Sequence, residues 1–284
     1  MEWLESWKLP IGKLAKGVVD WLTDNAAWFF DGLSAILEQV ILAILWVLQA
    51  PPALVIIGLV TLLAWYLRRS IGFTVFTGLG LLLIVNQGYW EETTETLALV
   101  LASSAVCMGV GIPLGIAAAR RPWLFSAMRP VLDLMQTIPT FVYLIPALIL
   151  FGLGMVPGLI ATVIFAIPAP IRLTHLGISS TPASLVEAGQ AFGATKSQLL
   201  WKVELPYAMP QIMAGLTQTI MLSLSMVVIA ALVGADGLGV PTLRALNQVN
   251  IAKGFEVGIA IVLIAIILDR LFRNEPRKQR SKRR

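Results

Sequence analysis

Few side chains in this sequence could take part in chemistry, and those few stand apart from one another. The one histidine, His175, has no second candidate ligand beside it and reads as a solvated residue near the end of an apolar stretch. The one cysteine, Cys107, lies inside an apolar run, so no disulfide can form within the chain. The run Gly189-Gln-Ala-Phe-Gly193-Ala-Thr-Lys196-Ser197 is the nearest thing to a phosphate-binding loop. Its lysine does not directly follow the second glycine and no strand precedes it, so it fails as one. We assign no catalytic residue, no metal ligand and no cofactor to this chain.

Polar chemistry gathers instead in one island, SLVEAGQAFGATKSQLLWKVELP, from Ser184 to Pro206. Ser184 with Glu187, and Thr195 with Gln198, have the spacing of capping boxes, so the island is predicted to start a helix twice. Leu185, Ala188 and Phe192 share a face of the first helix; Leu199, Leu200 and Val203 share one on the second. Gly193 falls between them, where a sharp change of direction needs a residue free of steric limits on φ. Pro206 cannot continue a helix interior, so the second helix is predicted to end near Leu205. Two short helices bent against each other form a surface for another protein to grip. An ordinary amphipathic connector needs neither a glycine-fixed bend nor two separate caps.

The elements that carry this island are built for lipid. Hydrophobic residues make up 57% of the chain and charged ones 13%, where a soluble domain carries about 25% charged residues. Apolar runs of membrane-spanning length recur. They are predicted near Leu33–Gln49, Ala53–Leu67, Ile71–Val85, Thr94–Ala119, Val131–Gly152, Val156–Leu173, Met209–Val233 and Phe255–Leu271. The class is therefore an all-α integral membrane protein, a polytopic helix bundle. Lys and Arg concentrate in cytoplasmic loops. Arg68 and Arg69, Arg120, Arg121 and Arg129, Arg172, Lys196, Lys202 and the tail from Arg270 fall on one side of this set. Glu91, Glu92, Glu95 and Asp236 fall on the other. An even number of spans puts both termini in the cytoplasm. The start, Met-Glu-Trp-Leu-Glu, lacks the basic region and apolar core of a cleavable signal peptide.

Ahead of the first span, Leu4, Trp7, Ile11, Leu14, Val18 and Trp21 recur at helical spacing with Lys8, Lys13, Lys16 and Asp20 between them. Pro10 suits the first turn of such a helix, which is predicted to lie in the headgroup region as a surface anchor. The tail Arg277–Arg284 is drawn to the same inner surface and to anionic lipid. A nucleic-acid role does not fit a basic run so close to a span.

Within the spans, Pro139, Pro146, Pro168 and Pro170 break two adjacent helices, as backbone lining a path would. Gln136, Thr137, Phe141 and Tyr143 lie in the same stretch and are the candidate path residues. Ser103, Ser104, Ser223 and Ser225 read as small packing residues that bond back to their own helices. A secondary transporter driven by ions would need ionisable groups near the bilayer midplane, and the spans hold almost none. A membrane scaffold without transport would not explain the bent loop.

Glu187-Ala188-Gly189, three residues, Gly193, nine residues, then Val203-Glu204-Leu205-Pro206 resembles the signature loop of permease subunits of ATP-binding-cassette importers. That family has Glu-Ala-Ala, three residues, Gly, nine residues, Ile-any-Leu-Pro; this chain departs at Gly189 and Val203. QTIPTFVYLIP from Gln136, IPAPIRLTHLGI from Ile167, AMPQIMAG from Ala208 and LSLSMVVIA from Leu222 resemble the quaternary-amine branch, which carries glycine betaine, proline betaine, choline and carnitine. The resemblance implies a type I importer permease core at 91–272 that contains the coupling loop 182–206. Around it lie an interfacial segment 1–32, accessory spans 33–90 and a basic tail 273–284. It implies ATPase contact through Glu187, Ala188, Gly189, Phe192, Gly193, Leu205 and Pro206. It further implies ATP and Mg on a partner ATPase, an extracytoplasmic substrate-binding protein and a second permease copy.

Overall fold

The computed structural model describes residues 10–273; Leu4, Trp7 and Lys8 and the run Arg277–Arg284 lie outside the described residues. Among the described residues all regular structure is helical. Helix α1 (Ile11–Gln49) is one kinked helix, its break at Ala26 (φ −125°, ψ 15°). The interfacial helix and first span read separately from the sequence are therefore continuous. Helices α2 (Ala53–Arg68) and α3 (Ile71–Asn86) form a hairpin of 16 residues per arm. Helix α4 (Trp90–Arg120) is long enough to cross a bilayer.

Helices α5 (Pro122–Thr137) and α6 (Thr140–Phe151) meet at 97°. The continuous span expected over Val131–Gly152 does not form. Ile138 is extended (φ −65°, ψ 133°) because the ring of Pro139 excludes the helical region from the residue before it. Helices α7 (Met155–Ala166) and α8 (Pro168–Ser179), by contrast, run on as one 25-residue span. Pro168 and Pro170 sit in the opening turn of α8, where no donor N–H is needed.

The island follows as α9 (Ala183–Ala191), α10 (Lys196–Leu199) and a π turn (Leu200–Glu204). Next come α11 (Leu205–Ala230), α12 (Gly239–Asn247) and α13 (Ile251–Phe272). The short α12 has no counterpart among the spans read from sequence.

Helices α4, α8 and α11 pack most closely, and small residues permit it. A Cβ on Gly115 would lie 2.6 Å from Thr174 Cβ and 2.8 Å from the Ile171 carbonyl oxygen. One on Gly177 would lie 2.9 Å from Ala208 Cβ. Water-driven burial does not hold helices together in lipid; close backbone approach does.

The polar contacts sort the helix ends into two groups. At one end the Gln49 amide donates to Thr94 Oγ1 (2.8 Å), the Leu238 N–H donates to Thr96 Oγ1 (2.9 Å), and the Tyr89 hydroxyl reaches Glu256 (3.3 Å). At the other, Arg120 meets Glu204 (3.0 Å) and Arg68 bonds the Arg273 carbonyl.

Gly115→Ala should lower the thermal stability of the purified protein by about 1–3 kcal/mol through overpacking. Gly109→Ala on the same helix, where a Cβ meets nothing within 4 Å, should be tolerated. Equal melting temperatures for the two variants would show that the α4–α8 seam gives way freely.

Candidate functional site

The loop begins at Pro182, whose fixed φ of −56° and ψ of 134° set an extended N-cap. Its carbonyl accepts from the N–H groups of Leu185 (3.0 Å) and Val186 (3.4 Å). The helix thus starts one residue before Ser184 could cap it. The Ser184–Glu187 capping box expected from spacing does not form, because Ser184 already lies in the first turn. The Thr195–Gln198 box does form: Thr195 Oγ1 accepts from the Gln198 N–H (3.3 Å), and Gln198 Oε1 from the Thr195 N–H (2.8 Å).

Gly193 makes the corner. Its φ of 77° is left-handed, a region that glycine enters without steric cost. Its N–H donates to the Gln190 carbonyl (2.8 Å) and that of Ala194 to the Gly189 carbonyl (3.1 Å), closing α9 in a Schellman motif. Gly189 has a separate reason to be small. A Cβ there would come 2.6 Å from Leu199 Cδ2, so its absence lets α9 lie on the buried Leu199.

The second helix does not end near Leu205. Helix continues from Lys196 to Val233 straight through Pro206. Pro206 has no N–H and crowds the carbonyl four residues back. The π turn Leu200–Glu204 absorbs this with one extra residue, the Leu205 N–H bonding the Leu200 carbonyl instead.

Of the loop residues singled out, Glu187, Ala188, Phe192, Gly193 and Pro206 are exposed, and Gly189 and Leu205 are half-buried. Phe192 is 92% exposed at the corner. Glu187 has no ion-pair partner among the described residues. Trp201, also exposed, was not singled out. Nor was Arg120, one of whose Nη atoms donates both to Glu204 Oε2 and to the Lys196 carbonyl, each at 3.0 Å. Arg120 ties the loop to the end of α4 across 76 and 84 residues of sequence, a separation that no local pattern betrays.

The candidate path residues divide. The Tyr143 ring is buried, and its hydroxyl sits 2.6 Å from the carbonyls of Met135 and Ile138, spanning the bend between α5 and α6. The single hydroxyl proton is shared by two acceptors. Gln136 accepts from Arg172 Nη1 (3.0 Å), and Asp133 from Nη2 (2.6 Å). Thr137 and Phe141 are exposed. His175 is half-exposed, and one face of its ring is covered. It stacks on Phe125 with centroids 3.7 Å apart and planes within 4°. Ser103 and Ser225 bond their own helices, Ser104 Oγ is buried without a partner, and Ser103 also reaches Ser223 at 3.1 Å, linking α4 to α11.

The described residues form a polytopic helix bundle with a cornered polar loop between two of its best-packed helices, α8 and α11. The family of binding-protein-dependent transport system inner membrane components matches residues 111–280, and the chain belongs to that family, the permeases of ATP-binding-cassette importers. It is 45% identical over 275 residues, 97% of both chains, to the glycine betaine transport system permease protein OpuAB of Bacillus subtilis. It is 46% identical to the glycine betaine/carnitine transport permease protein GbuB of Listeria monocytogenes, covering 96% of this chain and 98% of that one. Against the glycine betaine/proline betaine transport system permease protein ProW of Escherichia coli the identity is 43%, over 96% of this chain and 77% of the relative. Among solved structures, the inward-facing MetNI methionine ABC transporter matches with a TM-score of 0.57 at 25% identity, over 63% of this chain and 92% of that one.

Tyr143→Phe keeps the ring and removes the hydroxyl from two carbonyls at the end of α5. Stability should fall by about 1 kcal/mol, read as a lower melting temperature in detergent. An unchanged melting temperature would show that water serves those carbonyls equally well.

Proposed function

We propose that this chain forms the translocation path of an importer for a quaternary ammonium osmolyte: glycine betaine, proline betaine or choline. The substrates in the names of its relatives support this reading. Residues 91–272 are the transport core, and 33–90 are accessory. The chain pairs with a second copy, its termini and the Ala183–Glu204 loop face the cytoplasm, and a separate ATPase holds ATP and Mg. A binding protein delivers substrate at the opposite end.

The observation that carries the coupling role is the exposed corner Phe192–Gly193 on a loop anchored at both ends in the core. Glu187 and Phe192 seat in the ATPase. When the ATPase pair closes, the loop moves as a lever. Its force enters α11 through the continuous helix from Lys196 and enters α4 through Arg120. Both helices line the tightly packed seam, so they shift together. ATP chemistry stays on the partner, and this chain supplies only position.

A quaternary ammonium cannot donate a hydrogen bond, so ring faces and dipoles must replace its hydration along the way. Phe141, exposed next to the α5–α6 bend, offers such a face. The carbonyls at the end of α5 offer dipoles.

Glu187→Ala and Phe192→Ala should each cut betaine uptake by roughly fivefold or more, the loss of an interface anchor worth over ~1 kcal/mol. Neither side chain makes a cap hydrogen bond, the α9 C-cap at Phe192 being backbone only, so membrane insertion and melting temperature should hold. The assay is uptake into vesicles that contain the permease, its ATPase and the binding protein. Normal uptake by both variants would remove the loop from coupling. In the same vesicles Phe141→Leu should slow betaine uptake yet leave ATP hydrolysis without substrate unchanged. Full uptake by that variant would place the path elsewhere.

Arg120→Gln breaks a pair of half-exposed groups whose contribution to stability is at most about 1 kcal/mol. Its melting temperature should match the parent, while betaine carried per ATP hydrolysed should drop. An unchanged ratio would show that α11 alone transmits the stroke.

A further inference from the structure

Three arginines converge at the far end of the α2–α3 hairpin, where the transport reading assigns them no work. Helix α2 ends at Arg68, α3 begins after Ser70 with Phe73 in its first turn, and α13 brings up Arg270 and Arg273. These five residues line a cavity of about 250 Å³. The Arg270 guanidinium lies 5.9 Å from the centre of the Phe73 ring. Arg68 donates to the Arg273 carbonyl through one Nη, and its Nε is buried without a hydrogen-bond partner. Between them Arg69 holds a left-handed φ of 47°, a strained turn that keeps Arg68 and Ser70 at the cavity rim.

Charge balance makes this cavity unusual. The ion pairs among the described residues are Arg120–Glu204 and Arg172–Asp133; Asp269, the described carboxylate next to Arg270 on α13, pairs with none of Arg68, Arg270 and Arg273. Like charges around one cavity repel, and a desolvated guanidinium N–H needs an acceptor. Guanidinium groups match phosphate in geometry, each offering paired donors to its oxygens.

The surroundings say where such a phosphate comes from. Tyr66, Leu67 and Ile71, beside the cavity, are 67%, 52% and 76% exposed. This apolar skin belongs against acyl chains. Each hairpin arm has 16 residues, about 24 Å at 1.5 Å per residue, shorter than the ~30 Å hydrocarbon layer. A short arm draws the headgroup plane toward its end, and arginine there reaches out to it. We propose that this cavity binds the phosphate of an anionic phospholipid headgroup, and that the bound lipid pins the α2–α3 hairpin to α13.

The test reads lipid retention, so it stands whether or not the substrate reading is right. The intact protein is purified from mixed phosphatidylglycerol and phosphatidylcholine, and retained lipid is counted by native mass spectrometry. The parent should hold phosphatidylglycerol in preference to phosphatidylcholine. Arg68→Gln should weaken retention by about fivefold, and Arg68→Gln with Arg270→Gln by roughly thirtyfold. Arg68→Lys with Arg270→Lys keeps the charge and should fall between parent and double variant, which separates loss of the site from loss of folding. Neutralising Arg277 and Lys278 in the tail should leave retention unchanged. Inorganic phosphate, set against sulfate at matched ionic strength, should not displace the lipid. The proposal fails if the parent shows no preference, if the double variant retains as much as the parent, or if tail neutralisation alone abolishes retention. Displacement by inorganic phosphate at low concentration would make the cavity a free-anion site and overturn the lipid assignment.

Discussion

Everything in this bundle depends on how closely α4, α8 and α11 approach one another. In lipid no hydrophobic force drives apolar helices together, so cohesion comes from backbones brought near enough for dense van der Waals contact. Gly115 against Thr174 and Gly177 against Ala208 set that distance. The Ala183–Glu204 loop is the connection between α8 and α11, two of the three helices in the seam. A push on it meets little slack, because helices packed this tightly respond as a body before they respond as side chains. In the proposed coupling the seam converts a surface contact into a displacement of the membrane interior, with Arg120 tying α4 to the same group.

The broken helix obeys a different rule. At the α5–α6 bend the backbone gives up helical hydrogen bonds inside the bundle, and such groups must find partners without water. Tyr143 supplies a hydroxyl to the end of α5, and Arg172 grips Asp133 and Gln136 one turn earlier. Two of the residues that looked like path candidates therefore hold the bend in shape. Phe141, facing outward, is free of that duty. Polar and aromatic residues near a helix break serve either role, and only their partners distinguish the two.

The apolar segments were legible in the sequence because a span announces itself over some twenty residues. The Gly193 corner and the Thr195–Gln198 cap were also legible, since both are local chemistry. What escaped had two physical origins. Some features are decided by a neighbour in the chain that overrides a pattern: Pro182 starts α9 before Ser184 can cap it, and Pro139 turns one expected span through a right angle. Others are decided by residues far apart in sequence, as with Arg120 and Glu204, Arg172 and Asp133, or Phe125 and His175. Pro206 misled because a proline stops a regular helix, and the chain answered it with an irregular turn.

That irregular turn leaves a trace in the arithmetic of the chain. A π turn holds one residue more than the α-helical turn it replaces, and each residue advances an α-helix by about 100°. The loop's second helix, from Lys196, is continuous with α11, so the bearing of the Phe192 corner about the α11 axis depends on how many residues lie between Leu200 and Glu204. Deleting one would aim the corner elsewhere and press Pro206 against the carbonyl four residues back. The direction in which the corner points from the bundle is thus recorded as a residue count.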